Sequence, residues 1–193
     1  MVGDTINGTW NETVAVSLLI KVGLTLVRPF ISPNLVDLDT QCADTMGILP
    51  ELDERISWLP IDYAAKSTIE LVNLPPSSAD CPVYHILHPT HIPWSSVLTA
   101  LQGARLDFKR VPRHEWIKVL RTSDPDERRN PSRKLLAFYE GKYGGEKVRK
   151  ELSLCVDKTV GASRWLREAP VVEEGLVAKW VEAWRESGFL RRV

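Results

Sequence analysis

Three histidines, His85, His88 and His91, recur at intervals of three in YHILHPTH. On a helix that interval gathers imidazoles around one metal ion. Pro89 and Pro93 exclude a regular helix there, and on a strand residues three apart face opposite ways. The expectation is histidines satisfied by local hydrogen bonds or by solvent, with no metal site. Tyr143 and Lys147 stand at the Tyr-x-x-x-Lys interval, where one helical turn sets an ammonium beside a phenol and lowers its pKa. Gly144 and Gly145 fall between them and weaken such a turn by about 1 kcal/mol each relative to alanine. The chain also has no G-x-G-x-x-G or G-x-x-G-x-x-G phosphate loop, so the pair reads as a coincidence of spacing.

Paired acids occur at Asp124/Asp126, around Pro125, and at Glu173/Glu174. A turn explains the first pair and a helix start the second. There is no G-x-S-x-G elbow and no Cys/His pair at a recognisable spacing, so the residues taken alone define no self-sufficient active site. The seven tryptophans are many for this length, and core packing accounts for most of them. Trp10 stands apart in a polar, turn-rich loop, a setting that suits the wall of a ligand pocket as well as a packing role.

The length, 193 residues, suits one ordinary domain, and formal net charge is zero, so no global field favours nucleic acid or an anionic membrane. Lysine and arginine concentrate around Arg128–Arg149, but the acids interleaved there make a solvated helical face the better reading. Cys42, Cys81 and Cys155 are odd in number, scattered, and form no Cys-x-x-Cys. That pattern fits reduced thiols in the cytoplasm. Neither a signal peptide nor a membrane span is apparent.

The elements that must position these residues read as α/β. After the Asn7-Gly8 turn, Asn11 or Thr13 caps a helix burying Val16, Leu19 and Ile20. Val27–Thr45 holds two prolines and no sustained period, and reads as an irregular insertion. ISWLPI follows as a buried strand, with Asp62 as the N-cap of a helix whose inward stripe is Ala64, Ala65, Thr68, Ile69 and Val72. CPVYHILHP reads as a second strand and WSSVLTALQ as a helix carrying Val97, Leu98 and Leu101. A short third strand, LDFKRVP, leads into the helix HEWIKVLRTS. Residues 128–193 read as helical: Asn130-Pro131 opens one helix, and a last one, about Val172–Ser187, buries Leu176, Val177, Trp180, Val181 and Trp184.

Several stretches, in this order, resemble the C-terminal portion of the thioester reductase domains that end fungal non-reducing polyketide synthases and peptide-synthetase-like enzymes. They are VGDTINGTWNE, LPELDERISWLPIDYAAKSTIEL, YHILHPTHIPWSSVL, FKRVPRHEWIKVLRTS, NPSRKLLAFYEGKY and KWVEAWRESGFL. The resemblance covers nearly the whole chain apart from Val27–Thr45, which is extra sequence relative to the family. It implies that residues 1–193 form a single partial domain: the substrate-side part of an extended short-chain dehydrogenase fold, lacking the N-terminal Rossmann half. Family members use NADPH to reduce a thioester on a phosphopantetheinyl carrier protein, releasing an aldehyde or an alcohol in secondary metabolite biosynthesis. Their glycine loop and catalytic Thr/Ser-Tyr-Lys set precede the VGDT loop, so no catalytic or cofactor-binding residue carries over. No bound NADPH is expected for this chain alone. Trp10, Asn11, Trp58 and Asp62 carry over as substrate-binding positions. The expected partners are a carrier protein or a separate N-terminal reductase half, with no nucleic acid and no membrane. The alternative is a non-catalytic module that docks a carrier protein or complements a reductase in trans.

Overall fold

A computed structural model of the chain describes residues 1–23, 47–75, 83–123, 131–145 and 154–190. Its elements run α1 (Ala15–Gly23), β1 (Ile48–Glu51), β2 (Arg55–Ile56), α2 (Ile61–Val72), β3 (Ile92–Pro93), α3 (Trp94–Gly103), β4 (Lys109–Pro112) and α4 (Arg113–Thr122). A short 3-10 helix (Pro131–Leu135) then precedes α5 (Leu136–Tyr143), α6 (Asp157–Ala162), α7 (Arg164–Arg167) and α8 (Glu174–Glu186). The expected mixed α/β composition is present. The insertion assigned to Val27–Thr45, the pair Asp124/Asp126, and Lys147, Cys42 and Cys81 lie outside the described residues.

Two compact units share the chain. The first comprises Met1–Asn11, Asp53–Ala104 and Lys150–Ser187; the second comprises Glu12–Leu52, Arg105–Arg149 and Gly188–Val193. In the first, ISWLPI is not the extended strand that its apolar run suggests. Only Arg55 and Ile56 pair, antiparallel, with Pro93 and Ile92. Residues 83–89, the described part of the expected second strand CPVYHILHP, form no strand. Proline accounts for the first difference. Pro60 carries no N–H for a ladder and stands at the N-cap of α2 with ψ of 138°, as Pro93 does for α3 with ψ of 146°. Chain direction thus changes from extended to helical with no intervening loop.

α3 buries Trp94, Val97, Leu98, Ala100 and Leu101 and packs against α8. α8 in turn buries Val177, Trp180, Val181 and Trp184, the apolar face its 3.6-residue period predicts. Gly188 ends it with φ of 76°, a left-handed conformation that glycine adopts without a Cβ clash. The inward face of α2 differs from expectation. Ala64 and Ser67 are buried, whereas Ile69 and Val72 are 63% and 78% exposed. Small residues face α7 and its Leu166, with Tyr63, Val160 and Ala169 around them. The larger aliphatic side chains turn to solvent.

In the second unit β1 and β4 pair in parallel, Leu49 opposite Arg110 and Pro50 opposite Val111. β1 was not foreseen as a strand, because four residues with a proline give too short a signal. α1 and α4 pack on β1, and Leu49, Ile20, Trp116 and Leu120 are all buried. Two long-range side-chain bonds hold α1 to the helices after residue 131. Ser132 Oγ donates to the Leu18 carbonyl and Tyr139 Oη to that of Ala15, each at 3.0 Å. Burial, with Tyr143 nearby, pushes the Tyr139 phenol above its ordinary range although the Ser132 hydroxyl opposes the shift.

Candidate functional site

The N-terminal stretch of the first unit is built around one carboxylate. Asp4 Oδ1 accepts from the amides of Ile6 at 2.8 Å and Asn7 at 2.6 Å, and Oδ2 from that of Thr9 at 2.8 Å. Sequence supplies the reason: an aspartate that bonds its own downstream backbone makes an Asx-type turn, and Gly8, at φ of 73°, allows the chain to close around it. Partial burial works against the charge, but the amides of Asn7, Ile6, Thr9 and Gly8 outweigh it and hold the Asp4 carboxyl below its usual value.

α8 and α2 clamp the outside of this loop. Trp180 Nε1 donates to the Asp4 carbonyl at 3.0 Å, and Lys179 Nζ to that of Thr5 at 2.7 Å. From α2, Asp62 accepts from the Thr5 amide at 3.1 Å and from Thr5 Oγ1 at 2.7 Å. Asp62 is therefore not the N-cap it was expected to be. The helix begins two residues earlier than that cap implies, at Ile61, with Pro60 as cap and no side-chain cap bond. The Ile61 amide is taken by the Val2 carbonyl, and the Val2 amide by that of Leu59, in a parallel bridge between Val2 and Pro60. A carboxylate in the first helical turn still complements the positive end of the helix, but its bonds go to a loop 57 residues away in sequence.

Trp10 ends the loop inside an aromatic cluster. Its ring centroid lies 5.3 Å from Trp58, 4.9 Å from Trp180 and 5.1 Å from Trp184, edge-on to the first two and stacked on the third. Trp58 in turn meets Trp94 edge-on at 6.2 Å. Trp10 is buried, Trp58 and Asp62 are half-buried, and Asn11 is exposed. The structure thus joins Trp10 directly to Trp58 and ties Asp62 to the same loop through Thr5. Asn11 follows Trp10 in the chain and holds an interaction of its own. Sequence reasoning missed Asp4, Thr5, Lys179 and Trp180. Only Asp4 left a signal, through the D-x-x-N-G turn pattern.

The histidines take separate local roles. His88 is buried; its Nδ1 lies 3.0 Å from the Thr90 amide and its Nε2 3.2 Å from the Ala169 carbonyl. Nδ1 also lies 3.0 Å from the Thr90 carbonyl. His85 Nδ1 bonds the Cys155 carbonyl at 3.0 Å, and the exposed Cys155 thiol lies 3.4 Å from Asp157 Oδ2. Among the described residues no three His, Cys, Asp or Glu side chains converge as a metal site would require. Nor do these residues fit a dinucleotide pyrophosphate. A Cβ on Gly3 would stand 2.6 Å from Trp180 Nε1, and one on Gly8 2.7 Å from the Lys179 carbonyl. Both glycines serve internal packing, and the loop amides that would cradle an anion already hold Asp4. No described helix is long and apolar enough to cross a membrane.

A second lowered carboxyl shares this unit. Glu70 accepts from Ser163 Oγ at 2.7 Å and from the Trp165 amide at 3.3 Å. The Ser163 bond is the main cause of its shift, ahead of opposing desolvation and the Arg164 and Trp165 amides. Both groups have native pKa values below their ordinary 3.8 and 4.5. Their stabilisation is therefore complete above those ordinary values and is lost as pH falls through the lowered native ones. Acid titration of unfolding is expected to show this loss below about pH 4, and Asp4→Asn to flatten it. An unchanged acid slope in that variant would mean that Asp4 is not held as described.

No family model matches the chain. It is 31% identical over 196 residues to the citrinin polyketide synthase of Monascus ruber, a match covering 97% of this chain and 6% of that protein. To the 3-methylorcinaldehyde synthase of Sarocladium schorii it is 27% identical over 199 residues, with the same two coverages. The chain thus spans about 6% of the length of the curated relatives it matches. Among solved structures, the terminal R domain of the myxalamid PKS-NRPS biosynthetic pathway superposes with a TM-score of 0.69 at 16% identity, over 98% of this chain and 43% of that one. A thiolation-reductase di-domain from an archaeal non-ribosomal peptide synthetase gives 0.63 at 16% identity, over 97% of this chain and 34% of that one. In sequence the chain belongs to a short C-terminal segment of fungal non-reducing polyketide synthases, and its fold matches part of terminal R domains.

Proposed function

We propose that this chain is the substrate-side portion, truncated or remnant, of a thioester reductase domain that releases a carrier-bound polyketide or peptidyl thioester as an aldehyde or alcohol. The observation that carries this reading is the match of 98% of the chain to less than half of a terminal R domain. A relative named for an aldehyde product supports it. In this reading NADPH is held by residues outside these 193, consistent with the poor fit of Gly3 and Gly8 to a pyrophosphate. The chain's own part is to receive the acyl end. Trp58 offers a half-buried ring backed by Trp10, Asp62 fixes the loop through Thr5, and Asn11 supplies an exposed amide.

The purified chain, incubated with NADPH and an acyl-pantetheine thioester, is expected to consume no NADPH and form no aldehyde, while the thioester quenches its tryptophan fluorescence. Aldehyde formation by the chain alone would overturn the cofactor part. Absence of quenching, or quenching unchanged in Trp58→Ala, would overturn the acyl-binding part.

A second reading is a non-catalytic module that docks a carrier protein or complements a reductase in trans. It is favoured by the outward face of α2, where Ile61, Ile69 and Val72 are 43%, 63% and 78% exposed. Co-purification with a nucleotide-binding reductase portion, lost in Ile69→Lys, distinguishes it from the first.

A further inference from the structure

Trp10, Trp180 and Trp184 lie deep in one aromatic cluster, yet their indole N–H groups end differently. Trp180 Nε1 donates to the Asp4 carbonyl at 3.0 Å and Trp184 Nε1 to that of Trp10 at 3.5 Å. Trp10 Nε1 is sealed from solvent and has no hydrogen-bond partner among the described residues, in a side chain only 7% exposed. An indole N–H can only donate, and a buried one usually finds an acceptor. Left without one, it loses its hydration and gains nothing in return. A phenylalanine would keep an aromatic ring at this position and omit the donor.

The surroundings show from which side an acceptor can arrive. Among the described residues three rings meet Trp10. Trp180 and Trp184 are 1% and 2% exposed, and each is fixed by its own hydrogen bond. Trp58 is half-buried and meets Trp10 edge-on at 5.3 Å. Access to Trp10 therefore runs past the Trp58 ring. Trp116 Nε1 is likewise buried without a partner among the described residues, but Trp116 is 0% exposed and its ring meets that of buried Tyr139. That approach is closed.

We infer that Trp10 Nε1 is a specificity-determining donor, kept for an oxygen of the acyl group that Trp58 receives. The inference rests on the acyl-binding part of the reductase reading. In that reading the thioester carbonyl meets a nicotinamide held by residues outside these 193. The acceptor for Trp10 is then an oxygen further along the acyl chain, a ketone or a hydroxyl. Trp58 and Trp10 offer apolar walls to the carbons around it, and the N–H is already stripped of water before the oxygen arrives. An all-carbon chain meets the same walls but leaves the donor unpaired, so the site discriminates against it. Displacement of the Trp58 ring admits the ligand, while the loop folded by Asp4 and clamped by Lys179 and Trp180 keeps Trp10 in place.

The test is a titration of the full chain with octanoyl-pantetheine and with its counterparts carrying one ketone at the third, fifth or seventh carbon. One ketone position is expected to bind about tenfold more tightly than octanoyl. Trp10→Phe is expected to erase that advantage while octanoyl-pantetheine still binds. In proton–nitrogen correlation spectra of the wild type, the assigned Trp10 indole cross-peak should move downfield with the favoured ketone and stay in place with octanoyl. Failure of every thioester to bind would remove the acyl-binding reading and this proposal together. Equal affinities in the wild type, a preference retained in Trp10→Phe, or an unmoved Trp10 cross-peak would leave that reading standing and overturn the proposal. So would magnetisation transfer from bound water to the Trp10 N–H that persists with ligand present, because water would then be its partner.

Discussion

Trp10→Ala is expected to destabilise the protein by about 3–5 kcal/mol, measured by urea unfolding followed with circular dichroism. Trp10 is 7% exposed and touches Trp58, Trp180 and Trp184, so truncation opens a cavity walled by three large rings that cannot collapse into it. Its Nε1 has no hydrogen-bond partner among the described residues, and the Trp184 Nε1 bond goes to the Trp10 carbonyl, which alanine keeps. The loss is therefore one of packing. Trp10→Phe retains an aromatic wall without the orphaned donor, and is expected to cost about 1 kcal/mol. A loss below 1 kcal/mol in the alanine variant would show that the cluster is not the centre of this unit.

Gly8→Ala is expected to cost about 2–4 kcal/mol, and the reason is legible in two parts. At φ of 73° any L side chain is strained. Separately, a Cβ there would lie 2.7 Å from the Lys179 carbonyl oxygen and 2.9 Å from Lys179 Cγ. Asparagine tolerates the left-handed region better than alanine but brings the same Cβ. Gly8→Asn should therefore be nearly as damaging if the approach of α8 dominates, and much milder if backbone strain does. Because the loop amides hold Asp4, the alanine variant should also move the Asp4 carboxyl back toward its ordinary value, as carbon-detected NMR titration would report.

These two variants bear on the reductase reading through one loop. Asp4 folds it, Lys179 and Trp180 clamp it, and Asp62 ties it to α2. A loop so constrained places Trp10 and Trp58 in fixed positions, which a recognition surface requires. The same constraint occupies the loop's backbone donors, leaving side chains rather than a backbone nest to meet a ligand.

Much of the fold could be read before any coordinates. α3, α4 and α8 follow from apolar residues at helical period, and Gly188 from the chemistry of a helix end, because each is decided within a few residues of backbone. The ordered stretches from VGDTINGTWNE to KWVEAWRESGFL sufficed for the family, since that pattern needs no contact to be recognised. Tertiary structure decided the rest. Asp62 had two acceptable partners, its own helix or a distant loop. The proline before Ile61 and the Val2 carbonyl settled the choice by starting the helix two residues early. The expected stripe of α2 held Ala64 together with Ile69 and Val72, and packing against α7 buries Ala64 and Ser67 while leaving Ile69 and Val72 exposed. β1 pairs with β4 across about sixty intervening residues, a contact no local pattern encodes.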